Sequence, residues 1–149
     1  MEIKDFLSPS DVDVDLRAND KAQLLNDLSV RAAAALKLDT KVVAGEILKR
    51  EGLGSTGMGE GVAIPHSRIA GLNRPYGILA RLRKPIAFDA IDGAPVDVVF
   101  FLLLPEGSHG EQLNALAAVA RKLRDKSTVK EIRNASSSAT LYSSIIENR

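Results

Sequence analysis

The stretch PVDVVFFLLLP, Pro95 to Pro105, carries an unbroken apolar run from Val98 to Leu104 between two prolines. Its β-branched and aromatic residues favour a strand, and the run is far short of the roughly 20 residues that a membrane-spanning helix needs. A strand that is apolar at every position has no side to turn to water. It belongs at the centre of a sheet covered by helices on both faces, so this segment alone predicts three layers.

Outward from that strand, the chain supplies the other layers. Asp92-Gly93 marks a turn before it, and Tyr76 to Leu82 reads as another strand with alternating Ile78, Ala80 and Leu82. Gly61 to Ile64 looks like a short strand ending at Pro65, and VDVDL, Val12 to Leu16, like a strand with one wet face. Leu24, Leu25, Leu28, Ala32, Ala35 and Leu36 recur at helical spacing, which predicts a first helix capped by Asn19 or Asp20. A second helix runs from about Thr40 to Glu51, with Val43, Ile47 and Leu48 inward, Asp39 or Thr40 as its cap and Gly52 as its stop. Beyond the central strand, Leu113, Leu116, Ala117, Ala120 and Leu123 form one helical stripe, a short helix starts at Ser127, and a last helix carries Leu141, Ile145 and Ile146. The order strand, two helices, several strands, helices predicts one α/β domain over residues 1–149, a three-layer α/β/α sandwich on a mixed β-sheet.

Composition narrows the function classes. The chain has 149 residues, 45% hydrophobic and 26% charged, which suits one self-sufficient domain. A net charge of +1, with no Lys/Arg run and no aromatic ladder, argues against nucleic acid as a partner. Cysteine is absent, which removes disulfides and thiolate metal sites and fits a cytoplasmic location. The start, MEIKDFLSPSD, lacks a signal-peptide pattern, and no segment is long enough for membrane insertion.

The glycine-rich stretch before Pro65 holds the candidate chemistry. Gly52 to Gly57 spells the dinucleotide fingerprint GLGSTG but follows a helix and leads into a strand, the reverse of what that fingerprint requires, and no Walker lysine follows. No cofactor is therefore expected. Glycines in this density allow backbone N–H groups to converge on an anion, with Ser55 and Thr56 adding hydroxyls; a plain surface loop is the competing reading. With only His66 and His109, and no carboxylate at helical spacing from either, no metal constellation is visible. Ser67 lacks a nucleophile-elbow context. What remains for His66 is a structural role or nucleophilic attack on phosphorus by a neutral imidazole, one nitrogen attacking while the other keeps its proton against a fixed acceptor. Arg50, Arg68, Ser55, Thr56 and glycine amides are the nearby groups that could hold the phosphoryl oxygens. Arg50 could equally serve the macrodipole at the end of the second helix.

The run REGLGSTGMGEGVAIPHSR, Arg50 to Arg68, resembles the signature of the fructose and mannitol type enzyme IIA domains of the bacterial phosphoenolpyruvate-dependent phosphotransferase system. KPIAFDAIDGAPVDVVFFLLLPEG, Lys84 to Gly107, is similar to the family's central strands, and EQLNALAAVARKLRD falls where the family has its next helix. A single domain without a fused carrier or membrane segment is most similar to the nitrogen-regulatory enzyme IIA proteins. The resemblance implies a three-layer fold in which His66 accepts a phosphoryl group from phosphohistidine on HPr or its nitrogen-branch counterpart, with Arg50 beside the phosphate. It further implies regulatory protein targets in nitrogen and potassium metabolism.

Many members place a second histidine in a His-Leu-x-x-Leu pattern opposite the first. Here that register reads Gln112-Leu113-Asn114-Ala115-Leu116, so Gln112 takes the place, and His109 lies three residues earlier. Glutamine can donate to a phosphoryl oxygen but carries no charge, which throws charge stabilisation onto Arg50. His109 shares a helical face with Gln112 if the helix starts early enough, and is otherwise a solvated loop residue. Two other functions stay open: a IIA component passing phosphate to a separate sugar permease subunit, and a regulatory binding module that is never phosphorylated.

Overall fold

The computed structural model describes residues 1–107 and 109–147, except for the side chains of residues 109 and 111–113. Gln112 and His109 thus have side chains outside the described part. The elements are β1 (Val12–Leu16), α1 (Lys21–Leu36), α2 (Thr40–Gly52), β2 (Gly57–Gly59), β3 (Val62–Ala63), β4 (His66–Ile69), β5 (Tyr76–Ile86), β6 (Val96–Pro105), α3 (His109–Arg124), α4 (Lys126–Asn134) and α5 (Ser138–Ile146). Short 3-10 turns at Ile3–Asp5 and Pro9–Asp11 precede β1.

Local chemistry starts the helices. Asp20 accepts the Gln23 N–H at 2.8 Å to cap α1, and Asp39 accepts the Lys41 N–H at 2.9 Å to cap α2. Asp125 and Ser137 do the same for α4 and α5. α1 ends at Lys37 in the left-handed region, its N–H returning to the Ala33 carbonyl.

The sheet has six strands in the order β1-β5-β6-β3-β2, with β4 also on β6. β5 and β6 are antiparallel, whereas β1 on β5, and β3 and β4 on β6, are parallel, so the sheet is mixed. β6 is its centre, and every side chain from Val98 to Leu104 is buried. Val98, Phe100 and Leu102 pack into a core closed by Val119, Leu123, Ile132 and Leu141, while Val99, Phe101 and Leu103 join Leu24, Leu28, Val43 and Ile47 on the other face. α1 and α2 therefore cover one face and α3, α4 and α5 the other, the α/β/α sandwich that the apolar run predicts. Each fully buried side chain of this size contributes about 1.5–3 kcal/mol, so β6 is a major source of stability.

Four expectations change. Ala35 on α1 is exposed, since Ala32 and Ala33 are the buried alanines there. Leu48 is 52% exposed, because α2 packs through Val43 and Ile47 and the next residue turns about 100° away. Among the described side chains of α3 the buried line is Ala115, Val119 and Leu123, spaced four apart, which leaves Ala117 exposed, while Leu113 of the predicted stripe lies outside the described side chains. Part of the glycine stretch is not loop at all: β2 and β3 form an antiparallel hairpin whose turn residues Glu60 and Gly61 both take positive φ, 57° and 83°. That turn geometry suits hairpin twist and is why glycine sits at position 61.

Gly77 has a packing reason instead, since a Cβ there would meet the Phe100 ring at 2.6 and 2.7 Å. Gly77→Ala is expected to cost about 1–3 kcal/mol by overpacking. Gly45→Ala, in the interior of α2 where an added Cβ meets nothing within 4 Å, should instead stabilise by about 0.5–1 kcal/mol. Urea denaturation of the two variants reads both signs.

Candidate functional site

His66 is delivered by a break in a strand. β3 and β4 lie along the same side of β6 in continuous register, Val62 opposite Val98, Ala63 opposite Val99 and His66 opposite Leu102. Pro65 interrupts the line because it has no N–H to give, although its carbonyl still accepts from Leu102 N–H at 2.9 Å. His66 is thus the first residue of a strand rather than part of a free loop, and its ring is half-buried.

The His66 Nδ1 lies 2.7 Å from the Ile64 carbonyl oxygen. A carbonyl can only accept, so Nδ1 carries the proton, and in the neutral ring Nε2 holds the free lone pair. Among the described residues Nε2 has no hydrogen-bond partner. Burial pushes the His66 pKa below its ordinary value of 6.5; the Ile64 carbonyl opposes that shift, the Arg50 guanidinium reinforces it and the Glu51 carboxylate opposes it.

His66 opens into a cleft of about 570 Å³. β4 contributes Ser67 and Arg68, α2 contributes Glu46, Lys49 and Arg50, and the exposed Leu53 follows just after α2. The end of β6 adds Leu104 and Glu106, and α3 adds Leu116. Three cations and two carboxylates line it, with an apolar rim. Arg50 lies in the C-terminal turn of α2, where its Nη1 donates to the Gly54 carbonyl at 2.8 Å, and its side chain also borders the cleft.

The structure brings His66, Arg50 and Arg68 together and does not bring Ser55 or Thr56 into their cleft. Ser55 Oγ donates to the Phe88 carbonyl at 2.9 Å, and Thr56 Oγ1 donates to the Glu51 carboxylate. The loop amides are engaged as well: Gly54 N–H with the Glu51 carbonyl, Thr56 N–H with the Glu51 carboxylate and Gly57 N–H with Ser55 Oγ. Between the anion cradle and the structural loop that the glycines left open, these bonds favour a locked loop. The Gln112 side chain lies outside the described part. Glu51, Lys49 and Leu53 are neighbours that spacing alone did not single out; for Glu51 the one available signal was a carboxylate at the inner end of an amphipathic helix.

Residues 5–148 match the family model of the phosphoenolpyruvate-dependent sugar phosphotransferase system, EIIA 2. A nitrogen regulatory protein of Bradyrhizobium diazoefficiens is 41% identical over 143 residues, spanning 96% of this chain and 94% of that protein. One from Escherichia coli is 42% identical over 128 residues, 85% of this chain and 78% of that protein. Among solved structures, nitrogen regulatory protein IIA-Ntr from Neisseria meningitidis superposes with a TM-score of 0.91 at 36% identity, covering 96% of this chain and 98% of that one.

The His66 environment predicts its titration. Nitrogen-15 NMR of the imidazole should give a midpoint below 6.5, and Arg50→Met should move it upward, because removing a cation favours the imidazolium. Since the folded-state value is depressed, this group's contribution to stability is intact above pH 6.5 and is lost as pH falls from there through the folded pKa.

Proposed function

Because this chain belongs to the EIIA 2 family of the phosphoenolpyruvate-dependent sugar phosphotransferase system, we propose that it is a phosphocarrier in which His66 takes a phosphoryl group from phosphohistidine on an HPr-type protein. The observation that carries this reading is the tautomer: Ile64 holds the proton on Nδ1, which leaves Nε2 as the nucleophile of a half-buried ring in an open cleft. The Nε2 lone pair forms a bond to phosphorus as the donor's P–N bond breaks, and that bond's electron pair returns to the donor imidazole. Both nitrogens are then substituted, so the ring of phosphorylated His66 is cationic. Its Nδ1–H donates more strongly to the Ile64 carbonyl, while the transferred group presents negative oxygens that a guanidinium suits.

Arg50 is the charge partner of those oxygens. Gln112, near the start of α3, is proposed as an uncharged amide donor to them, and Arg68 as a further cation. Ser55 and Thr56 support this site by holding the glycine loop, their hydroxyls being given to Phe88 and Glu51. A soluble carrier of this kind works in the cytoplasm, with no cofactor.

The relatives' name, nitrogen regulatory protein, supports control rather than sugar uptake as the use of the transfer. Phosphorylation adds roughly −1.5 to −2 charge at pH 7, enough to make or break a contact with a regulatory target in nitrogen or potassium metabolism. Dedicated transfer to a sugar permease subunit is the competing use.

Incubation with labelled phosphoenolpyruvate, enzyme I and the carrier should give an acid-labile label on the wild type and none on His66→Ala. Label persisting in the variant removes His66 as the acceptor; label absent from the wild type removes the phosphocarrier reading and leaves a binding module.

A further inference from the structure

Beside the cleft lies a buried ionic cluster that the chemistry of His66 does not by itself use. The Glu51 side chain, 6% exposed, pairs with Lys21 Nζ at 2.9 Å across the interface of α1 and α2. The same carboxylate accepts from both Thr56 Oγ1 and, at 3.2 Å, Thr56 N–H. Lys21 also donates to the Phe88 carbonyl at 3.2 Å and sits 4.4 Å from the centroid of the Phe88 ring. Ser55 Oγ donates to that same Phe88 carbonyl. Three separate segments meet at this point: the first turn of α1, the end of α2 with its glycine loop, and the chain after β5.

A buried ion pair is seldom the cheapest way to fill such a space, because desolvating two charges cancels much of their attraction. The direction of its bonds suggests what it is kept for. Glu51 fixes Thr56, Thr56 and Ser55 fix the loop from Gly52 to Gly57, and the Gly54 carbonyl of that loop receives Arg50 Nη1 at 2.8 Å. Resting on the phosphocarrier reading above, we propose that the Lys21–Glu51 pair is a positioning device for the transfer site: it sets the loop that orients Arg50 and holds the Glu51 carboxylate at the end of α2, the helix that borders the imidazole. Arg50 then answers the negative charge on the phosphoryl oxygens, and Glu51 the positive charge on the ring.

The charged groups around His66 allow the electrostatic part to be separated from mere loop support. α2 presents Glu46, Lys49, Arg50 and Glu51, β4 presents Arg68, and the end of β6 presents Glu106. Glu51 favours the charged ring, whereas burial and Arg50 disfavour it. Removing the Glu51 charge must therefore drive His66 titration to lower pH than in the wild type. Simple loosening of the loop would hydrate the ring and move titration up, toward free histidine.

The experiment compares wild type, Glu51→Gln, Lys21→Met and Lys21→Arg for the rate of labelling by the phosphorylated carrier and for His66 titration by NMR, with His66→Ala assigning the signal. Glu51→Gln is expected to slow transfer about 10- to 100-fold, the scale of a misplaced catalytic group, and to lower the His66 midpoint. Lys21→Met should slow transfer with the fold retained, and Lys21→Arg should recover most of the rate. Wild-type transfer rates in Glu51→Gln, or an upward move of its midpoint, would overturn the proposal. If Glu51→Gln does not fold, an unchanged rate in folded Lys21→Met overturns it as well. Absence of label from the wild type itself strikes the phosphocarrier reading instead, and the titration arm then still decides whether Glu51 sets the charge on His66.

Discussion

The structure depends on β6 having no face to give to water. From Val98 to Leu104 every side chain is buried, alternating between two cores, so helices must close both sides of the sheet. With α1 and α2 on one face and α3 to α5 on the other, strands can pair with β6 only at its two edges. One edge takes β5, and the other takes β3 and β4 in line. The position of His66 is a consequence of that line: it is the first residue after the proline that interrupts it, at the point where α2 and β4 also meet.

This geometry turns an ordinary imidazole into one with defined ends. A backbone carbonyl two residues earlier holds the Nδ1 proton, and burial favours the uncharged ring. Both effects act in the same chemical direction, toward a lone pair at Nε2. The cleft around it is mixed in sign rather than uniformly basic, so the proposed phosphoryl transfer relies on the placement of Arg50 more than on the overall field.

Placement of Arg50 in turn is a matter of loop rigidity. Glycine makes the turn from Gly52 to Gly57 sterically open, which by itself would make it mobile as well. The side chains around it remove that freedom: Glu51, Ser55 and Thr56 spend their polar atoms within the protein, and Lys21 ties the cluster to α1. A stretch whose composition suggests an anion cradle is thus a fixed bracket beside the cleft.

The sequence by itself determined the order of elements, the three layers, the helix caps to within one residue (Asn19 or Asp20, Asp39 or Thr40) and, through the family resemblance, His66 with Arg50 as the candidate site. Apolar periodicity and capping chemistry are local properties, and the resemblance over Arg50 to Arg68 rests on contiguous residues. Only the tertiary structure decided that β3 and β4 form one interrupted line, that Leu48 and Ala117 face solvent, and that the hydroxyls of Ser55 and Thr56 turn to Phe88 and Glu51. Periodicity states which face of an element is apolar but not what lies across from it. A polar side chain can choose among many partners until packing brings one within about 3 Å, as it does for Lys21 and Glu51 on two different helices.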